Sequence, residues 1–455
     1  MSASIFFKEI FRKKSLISIY NEHLASSKAI GLDRVRPTQF QKVLSSEIDL
    51  IINRAKCNCY KFTSYKQKLI SKGADKVPRV ISIPTLRDRV TLRGLCNVLQ
   101  KTYPELLNEI PQIKIQRLRD AFDAEIFDSF IKIDLSNFYA SIPQDKLIEN
   151  IRKKIRKREI LSLIKQSITN PTTPEGARPT KVALSLGVPQ GLAISNILAE
   201  IYIHEFDTKA QAIGSIFFTR YVDDILILCD SKVVESTGSR VIQMLKDIGL
   251  SPHELNGEKS KSYSGSLADS FDFLGYKILN NKLSIRKQSI HRFESALAKI
   301  FTTYRYHLSK AEDTTSKQRA IDICEWRLNL RISGCIFEGK RLGWGFYFSQ
   351  LNDTSSLRTI NSTLNSLLKR FSLLGKIKVK SLVKTFYETK RRDKNSHQYI
   401  INFDNMNLSE KKEILGKYLG AKSLIGYSDS KIERFFKMRI GAVVKELEKD
   451  ISVPS

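Results

Sequence analysis

The stretch Phe217–Cys229, FFTRYVDDILILC, sets two adjacent carboxylates, Asp223 and Asp224, between short apolar runs rich in β-branched and aromatic residues. Runs of that length and composition read as strands, so the pattern predicts a β-hairpin whose turn carries the Asp pair, because Asp tolerates turn geometry. Two carboxylates packed that close repel each other and resist joint ionisation. A bound divalent cation removes the conflict, so the pair points to a metal site, with a solvated Asp-Asp turn as the alternative. Four residues decide little by themselves, and the surrounding chain has to discriminate.

That chain is strongly basic. Lys and Arg number 76 against 47 acidic residues over 455 positions, a formal charge of +29 spread along most of the length. A field of that sign favours a polyanionic partner, nucleic acid first among them, although ribosome-bound and membrane-surface proteins share the balance. No run of about 18 apolar residues occurs, which argues against a membrane span. In MSASIFFKEIFRKK the apolar residues precede the charges, the reverse of a secretory signal. The six cysteines show no CxxC spacing and are expected to be reduced thiols of a cytoplasmic protein.

Met1 to about Lys56 has a helical pattern, followed by extended pieces between Tyr60 and Pro84 in which Pro78 and Pro84 restrict the second piece to an edge strand. The segment 86–103 should be a helix with a basic face. Phe130–Tyr139 begins as alternating apolar residues around Lys132 and Asp134, a strand that would present Asp134 at its end. A helix from about Gln144 carries Arg152, Lys153, Lys154, Arg156, Lys157 and Arg158 opposite its apolar stripe. Six like charges on one helix call for an anion, phosphate among the candidates, unless the face is simply solvated. A Pro189-Gln190-Gly191 turn opens the next amphipathic helix and permits close approach by a ligand. Beyond Arg286 long helices dominate, interrupted by the aromatic CIFEGKRLGWGFYFSQL, whose Trp344, Phe346, Tyr347 and Phe348 are expected in the core. These changes of texture place domains at residues 1–130, 131–285 and 286–455.

The order of these signals resembles the finger and palm motifs of bacterial reverse transcriptases of the group II intron and retron lineage. The resemblance spans about Lys76 to Ile278: a basic strand and helix, a strand Asp followed by two aromatics, Pro-Gln-Gly, Tyr221-Val222-Asp223-Asp224, a lysine loop and Phe273-Leu274-Gly275. It implies an α+β right-hand polymerase fold, with a split βαββαβ palm and a helical thumb. It implies an RNA-directed DNA polymerase that uses dNTPs and two Mg2+ ions, with Mn2+ as the substitute, to make cDNA on an RNA template. By the same resemblance Asp134, Asp223 and Asp224 are the catalytic metal ligands. Lys76 and Arg79 grip the triphosphate, Tyr139 blocks the ribose 2′ hydroxyl, Gln190 and Gly191 lie beneath the incoming nucleotide, and Lys259 stands near the leaving pyrophosphate. Arg152, Lys153, Lys154, Arg156 and Lys157 are the candidate nucleic-acid contacts.

The chain has no Cys/His-rich endonuclease segment, Asn-Ala-x-x-His element or Val-Thr-Gly triplet. It therefore resembles most the stand-alone, defence-associated reverse transcriptases. That implies a dedicated non-coding RNA and an antiphage role, and leaves homo-oligomers open. Untemplated or protein-primed synthesis at the same site, and an inactive RNA-binding scaffold such as a splicing cofactor, remain as alternatives.

Overall fold

A computed structural model describes residues 2–71, 73, 77–107, 109–177, 184–391, 393, 397–419, 424–449 and 451. They form an α+β protein in which Met1–Glu109 with Phe127–Gly265 make one compact unit, and Ile110–Ile126 with Ser266–Ser455 make another. In chain order the first unit begins with α1 (Ala3–Ile10), α2 (Lys13–His23), α3 (Pro37–Lys42), α4 (Leu44–Lys56), β1 (Tyr65–Ile70), β2 (Arg79–Ile83) and α5 (Leu86–Thr102). The chain then passes through α6 (Pro111–Asp123), which belongs to the second unit. It returns as β3 (Ser129–Asp134), α7 (Phe138–Ser141), α8 (Gln144–Arg152), α9 (Arg158–Thr169) and β4 (Thr172–Thr173). The unit closes with α10 (Ser195–Gln211), β5 (Phe217–Tyr221), β6 (Asp224–Cys229), α11 (Val234–Asp247) and β7 (Tyr263–Ser266).

Phe7, Phe11, Leu16 and Tyr20 are buried in one core with Leu95 and Leu99 of α5. β1 pairs antiparallel with β2 and parallel with β4, leaving β2 at the sheet edge as its flanking prolines require. Asp88, fully buried, fastens this hairpin to α5. It accepts bonds from the Tyr60 hydroxyl (2.7 Å), the Thr63 N–H (3.1 Å) and the hydroxyl of the helix cap Thr85 (2.8 Å). Burial raises its pKa, and those donors offset part of the effect.

The second sheet of the unit has the order β5-β6-β3-β7. Counted along the chain that is 2-3-1-4, with α8 to α10 joining the first strand to the second and α11 the third to the fourth, a split βαββαβ arrangement. Strand period two sends Ile131 and Ile133 to one face and Lys132 and Asp134 to the other. α10 packs on β5, and α11 on β3.

Two expectations need correction. The basic residues do not share a helix: α8 ends at Arg152 and α9 begins at Arg158, so Lys153–Lys157 form the corner between them. Ile155, Ile160, Leu163 and Ile164 are all buried, and the bend lets that apolar series face the core while spreading like charges apart. Secondly, Cys57 and Cys59 form a disulfide, whereas Cys96, Cys229, Cys324 and Cys335 are buried free thiols. α4 ends at Lys56 and Asn58 adopts a φ of +59°, a turn that brings the two Cα atoms within 5.4 Å.

The second unit contains an antiparallel sheet of β8 (Phe271–Phe273), β9 (Tyr276–Leu279) and β10 (Lys282–Ile285). After α12 (Lys287–Ser309) and α13 (Thr314–Ser333) come β11 (Cys335–Phe337) and β12 (Lys340–Leu342), an antiparallel pair. The remaining elements are α14 (Trp344–Tyr347), α15 (Ser355–Arg370), α16 (Leu382–Thr389), β13 (Ile401–Asn402), α17 (Leu408–Leu419) and α18 (Asp429–Glu448). Trp344, Phe346, Tyr347 and Phe348 are all buried, as their composition suggests. The hydroxyls of Tyr276 and Tyr347 donate to the carbonyls of Tyr347 and Leu274, locking this aromatic segment to the small sheet. Among the described residues no helix is long and apolar enough to cross a membrane.

Replacing Asp88 by Ala leaves the buried Tyr60 hydroxyl and the half-buried Thr63 N–H without their acceptor. The variant should lose about 2–4 kcal/mol in chemical denaturation, the range for unsatisfied buried donors to a charged acceptor.

Candidate active site

Antiparallel pairing sets Asp134 directly opposite Asp224, and Tyr221 opposite Asp224 on the other side. The hairpin turn is therefore Val222-Asp223, with Asp224 already the first residue of β6, so the turn holds one of the two acids and not both. The left-handed position falls on Val222, at φ +58°, not on an Asp. A β-branched residue in that region is strained, and its surroundings must hold it there.

The three acids lie in different electrostatic settings. Burial raises the pKa of Asp224 to about 6, with Asp223 and Asp134 adding to the shift and Lys132 opposing it. Its Oδ1 is enclosed and makes no hydrogen bond, and the nearest cation is Lys132 Nζ at 3.5 Å. Asp223 is also shifted upward, first by burial and then by Asp134, against the opposing charges of Arg79 and Lys261. Asp134 accepts a bond from Lys261 Nζ (3.1 Å) and has His253 Nε2 at 3.4 Å, both on Oδ2. Its backbone N–H donates to Ser262 Oγ, and its carbonyl accepts from the His253 N–H, which clamps the 251–262 loop along the end of β3.

Hard oxygen donors, an enclosed carboxylate oxygen without a hydrogen bond, and two acids that resist ionisation together fit a Mg2+ or Mn2+ ion. Side-chain convergence is less than the sequence suggests. Among the described residues no three His, Cys, Asp or Glu side chains form a ready ligand cluster, because Asp134 is turned to Lys261 and Asp224 to Lys132.

Several other expected residues come to this corner. The Val188 N–H donates to the Tyr139 carbonyl, and the Gln190 carbonyl accepts from the Ser82 N–H on β2 (2.7 Å each). Gly191 has φ +102°, and a Cβ there would lie 2.8 Å from the Ser82 carbonyl oxygen, so only glycine lets the turn meet β2. The Tyr139 hydroxyl donates to Asn196 Oδ1 at 2.8 Å, and burial drives its pKa upward, with Glu200 and Asp223 adding to the shift. Arg79, on β2, has an enclosed Nε without a partner and contributes positive charge at Asp223. Lys259 is exposed, and it is Lys261, two residues on, that reaches Asp134. Lys76 lies outside the described residues.

Of the basic corner, Lys153, Lys154 and Lys157 are engaged with Glu205, Glu105 and Glu159. Arg152 and Arg156 are exposed and make no ion pair among the described residues. Sequence reasoning missed Lys261, His253, Asn196 and the buried Arg220. Two of these carried a signal: Lys261 in the lysine loop, and Arg220, a charge inside an otherwise apolar strand.

Residues 70–278 match the family described as "Reverse transcriptase (RNA-dependent DNA polymerase)". The matched segment covers just under half of the chain. It includes both halves of the acid corner, the Pro-Gln-Gly turn and β2. Among curated proteins the chain is similar to the "Uncharacterized 91 kDa protein in cob intron" of Schizosaccharomyces pombe, 27% identical over 219 residues, covering 46% of this chain and 26% of that protein. It is also similar to "Protein YkfC" of Escherichia coli, 24% identical over 189 residues, covering 39% of this chain and 49% of that one. The chain thus spans about a quarter and about half of these relatives. Among solved structures, apo telomerase from Candida tropicalis aligns over 97% of this chain and 79% of its own, at 15% identity and a TM-score of 0.42.

The acid corner predicts a trade of stability for function. Asp224→Asn should stabilise the metal-free protein near pH 8 by up to about 3 kcal/mol, the rise from 3.8 to about 6 being about two pKa units at about 1.4 kcal/mol each. An ordinary Asp is ionised in the unfolded chain at both pH values, but the folded group, shifted to about 6, is mostly protonated near pH 5. Because folding must still protonate it there, the advantage of Asn should only halve near pH 5 and should vanish below about pH 4, where the unfolded Asp is protonated too, which paired thermal melts can test.

Proposed function

We propose that this protein is an RNA-directed DNA polymerase that extends a 3′ hydroxyl with dNTPs, using Mg2+ held by Asp134 and Asp223 with Asp224 in support. The observation that carries the reading is the in-register opposition of Asp134 and Asp224, with Asp223 in the adjoining turn, inside the segment that matches the reverse transcriptase family. When bound, the metal supplies charge stabilisation for the attacking and leaving oxygens of in-line phosphoryl transfer.

The remaining work belongs to side chains that position and select. Arg79 offers an enclosed guanidinium nitrogen without an internal partner, suited to a triphosphate oxygen. Lys261 and the exposed Lys259 supply positive charge beside Asp134, where the polyphosphate chain would run. Tyr139, fixed by Asn196, presents its ring beside the Pro-Gln-Gly turn as a wall against a 2′ hydroxyl. Gly191 gives the nucleotide close access to backbone. The RNA template is a dedicated non-coding RNA, and the cDNA serves antiphage defence. Support for this narrower part comes from the motif resemblance to the stand-alone defence enzymes and from the helical second unit. Arg152 and Arg156 are the strongest nucleic-acid contacts of the basic corner, since the three lysines already face glutamates.

Incorporation of labelled dNTP on a primed RNA should fall at least about 1,000-fold in Asp223→Asn/Asp224→Asn, the scale of losing groups that act only in the transition state. Equal incorporation by the variant and the wild type would instead reject the site. Tyr139→Ala should raise ribonucleotide use relative to dNTP by about 10-fold or more, read from the ratio of kcat/KM values. Changing Arg152, Lys153, Lys154, Arg156 and Lys157 together to Gln should lower the slope of log affinity against log salt by about 2. Five full phosphate contacts would lower it by about 4.

A further inference from the structure

Arg220 lies one residue before the Tyr221-Val222-Asp223-Asp224 sequence and is buried, its side chain 5% exposed. All of its donors are used. Nε donates to Asp207 Oδ1 (2.8 Å), Nη1 to Glu200 Oε1 (3.2 Å) and to the Val222 carbonyl (2.8 Å), and Nη2 to Glu200 Oε2 (2.5 Å) and Asp207 Oδ2 (2.6 Å). Burial alone would favour the neutral guanidine. Asp207 and Glu200 outweigh it and push the pKa far above the ordinary value, so the group is a permanent cation.

Stability does not explain this arrangement. Buried ion triads are commonly no better than apolar residues of the same volume. What an apolar residue cannot do is hold the Val222 carbonyl. Val222 sits at φ +58°, a conformation costing about 1–3 kcal/mol for a residue that is not Gly, Asn or Asp. Glu200 and Asp207, seven residues apart, lie about two turns apart along one side of α10, so that helix is a rigid platform for the guanidinium. At its other end α10 is tied to the Pro-Gln-Gly turn, Ser195 Oγ donating to the Pro189 carbonyl at 2.6 Å.

We infer that Arg220 is a positioning residue for the polymerase reaction. It latches the strained Val222-Asp223 turn to α10, which fixes the Asp223 carboxylate relative to Asp134 and to the nucleotide-side Pro-Gln-Gly turn. This inference rests on the polymerase reading above, and its test includes a measurement that does not.

The informative variant is Arg220→Met/Glu200→Gln/Asp207→Asn in the full chain, which removes the latch without leaving buried charge unpaired. Primer extension should show kcat reduced about 100-fold, the scale of a small misplacement of reacting groups, with KM for dNTP changed less than about threefold. Mn2+ binding, followed by electron paramagnetic resonance without substrate, should weaken about tenfold. The melting temperature should stay near that of the wild type, separating loss of positioning from loss of fold. Adding Val222→Gly, which adopts positive φ freely, should recover much of both losses. Wild-type kcat and Mn2+ affinity in the triple variant, or no recovery with Val222→Gly, would overturn the inference. If the wild type incorporates no nucleotide yet loses Mn2+ affinity in the triple variant, the latch stands and the polymerase reading falls.

Discussion

The first unit is arranged around one unfavourable contact, two aspartates set face to face across adjacent strands with a third in the neighbouring turn. Left to itself such a cluster would separate or take up protons, and the upward shift of Asp223 and Asp224 expresses that tendency. The backbone prevents separation. β3 and β6 lie in the middle of a four-stranded sheet, and a one-residue slip would throw Ile133 and Ile225 onto the polar face. The apolar register that builds the core therefore also fixes the acids, so folding energy distributed over the whole sheet is spent on a few charged atoms.

Basic side chains temper the cluster without neutralising it evenly. Lys132 serves Asp224 from the same face of β3, whereas Lys261 and His253 reach Asp134 from a loop pinned to the end of that strand. Arg79 acts on Asp223 from the finger sheet, which the Gln190–Ser82 bond ties to the Pro-Gln-Gly turn. Nearly every element that approaches the acids thus brings a positive group or a backbone donor, the environment in which an anionic polyphosphate can be received.

Much of this could be read from residues alone, for definite reasons. Strand period two in Phe130–Asp134 and the apolar runs beside Asp223 made the strands visible, and Pro78 and Pro84 placed β2 at an edge. Glycine with a positive φ at 191 followed from the turn motif. What escaped depended on distant neighbours. The lysine that meets Asp134 is 261 and not 259, because the loop turns at Lys259, φ +57°, and its register against β3 has no sequence signature. The bend after Arg152 is set by where Ile155 must be buried, and local helix propensity does not record that. Val222 carries the backbone strain that an Asp was expected to absorb, since tertiary bonds from Arg220 override the local preference.

One feature of connectivity bears on how the chain is made. α6, whose Ile115, Leu118 and Phe122 are buried, is synthesised before β3 but belongs with residues from Ser266 onward. Its apolar face belongs with residues that leave the ribosome only after the whole of the first unit has been made. Closure of the second unit brackets residues 127–265 between two anchored ends, a long-range step that slows folding and keeps the nascent chain open to chaperones. A truncation after Gly265 would strand that amphipathic helix without its partners, so the first unit cannot be isolated by cutting at a single point.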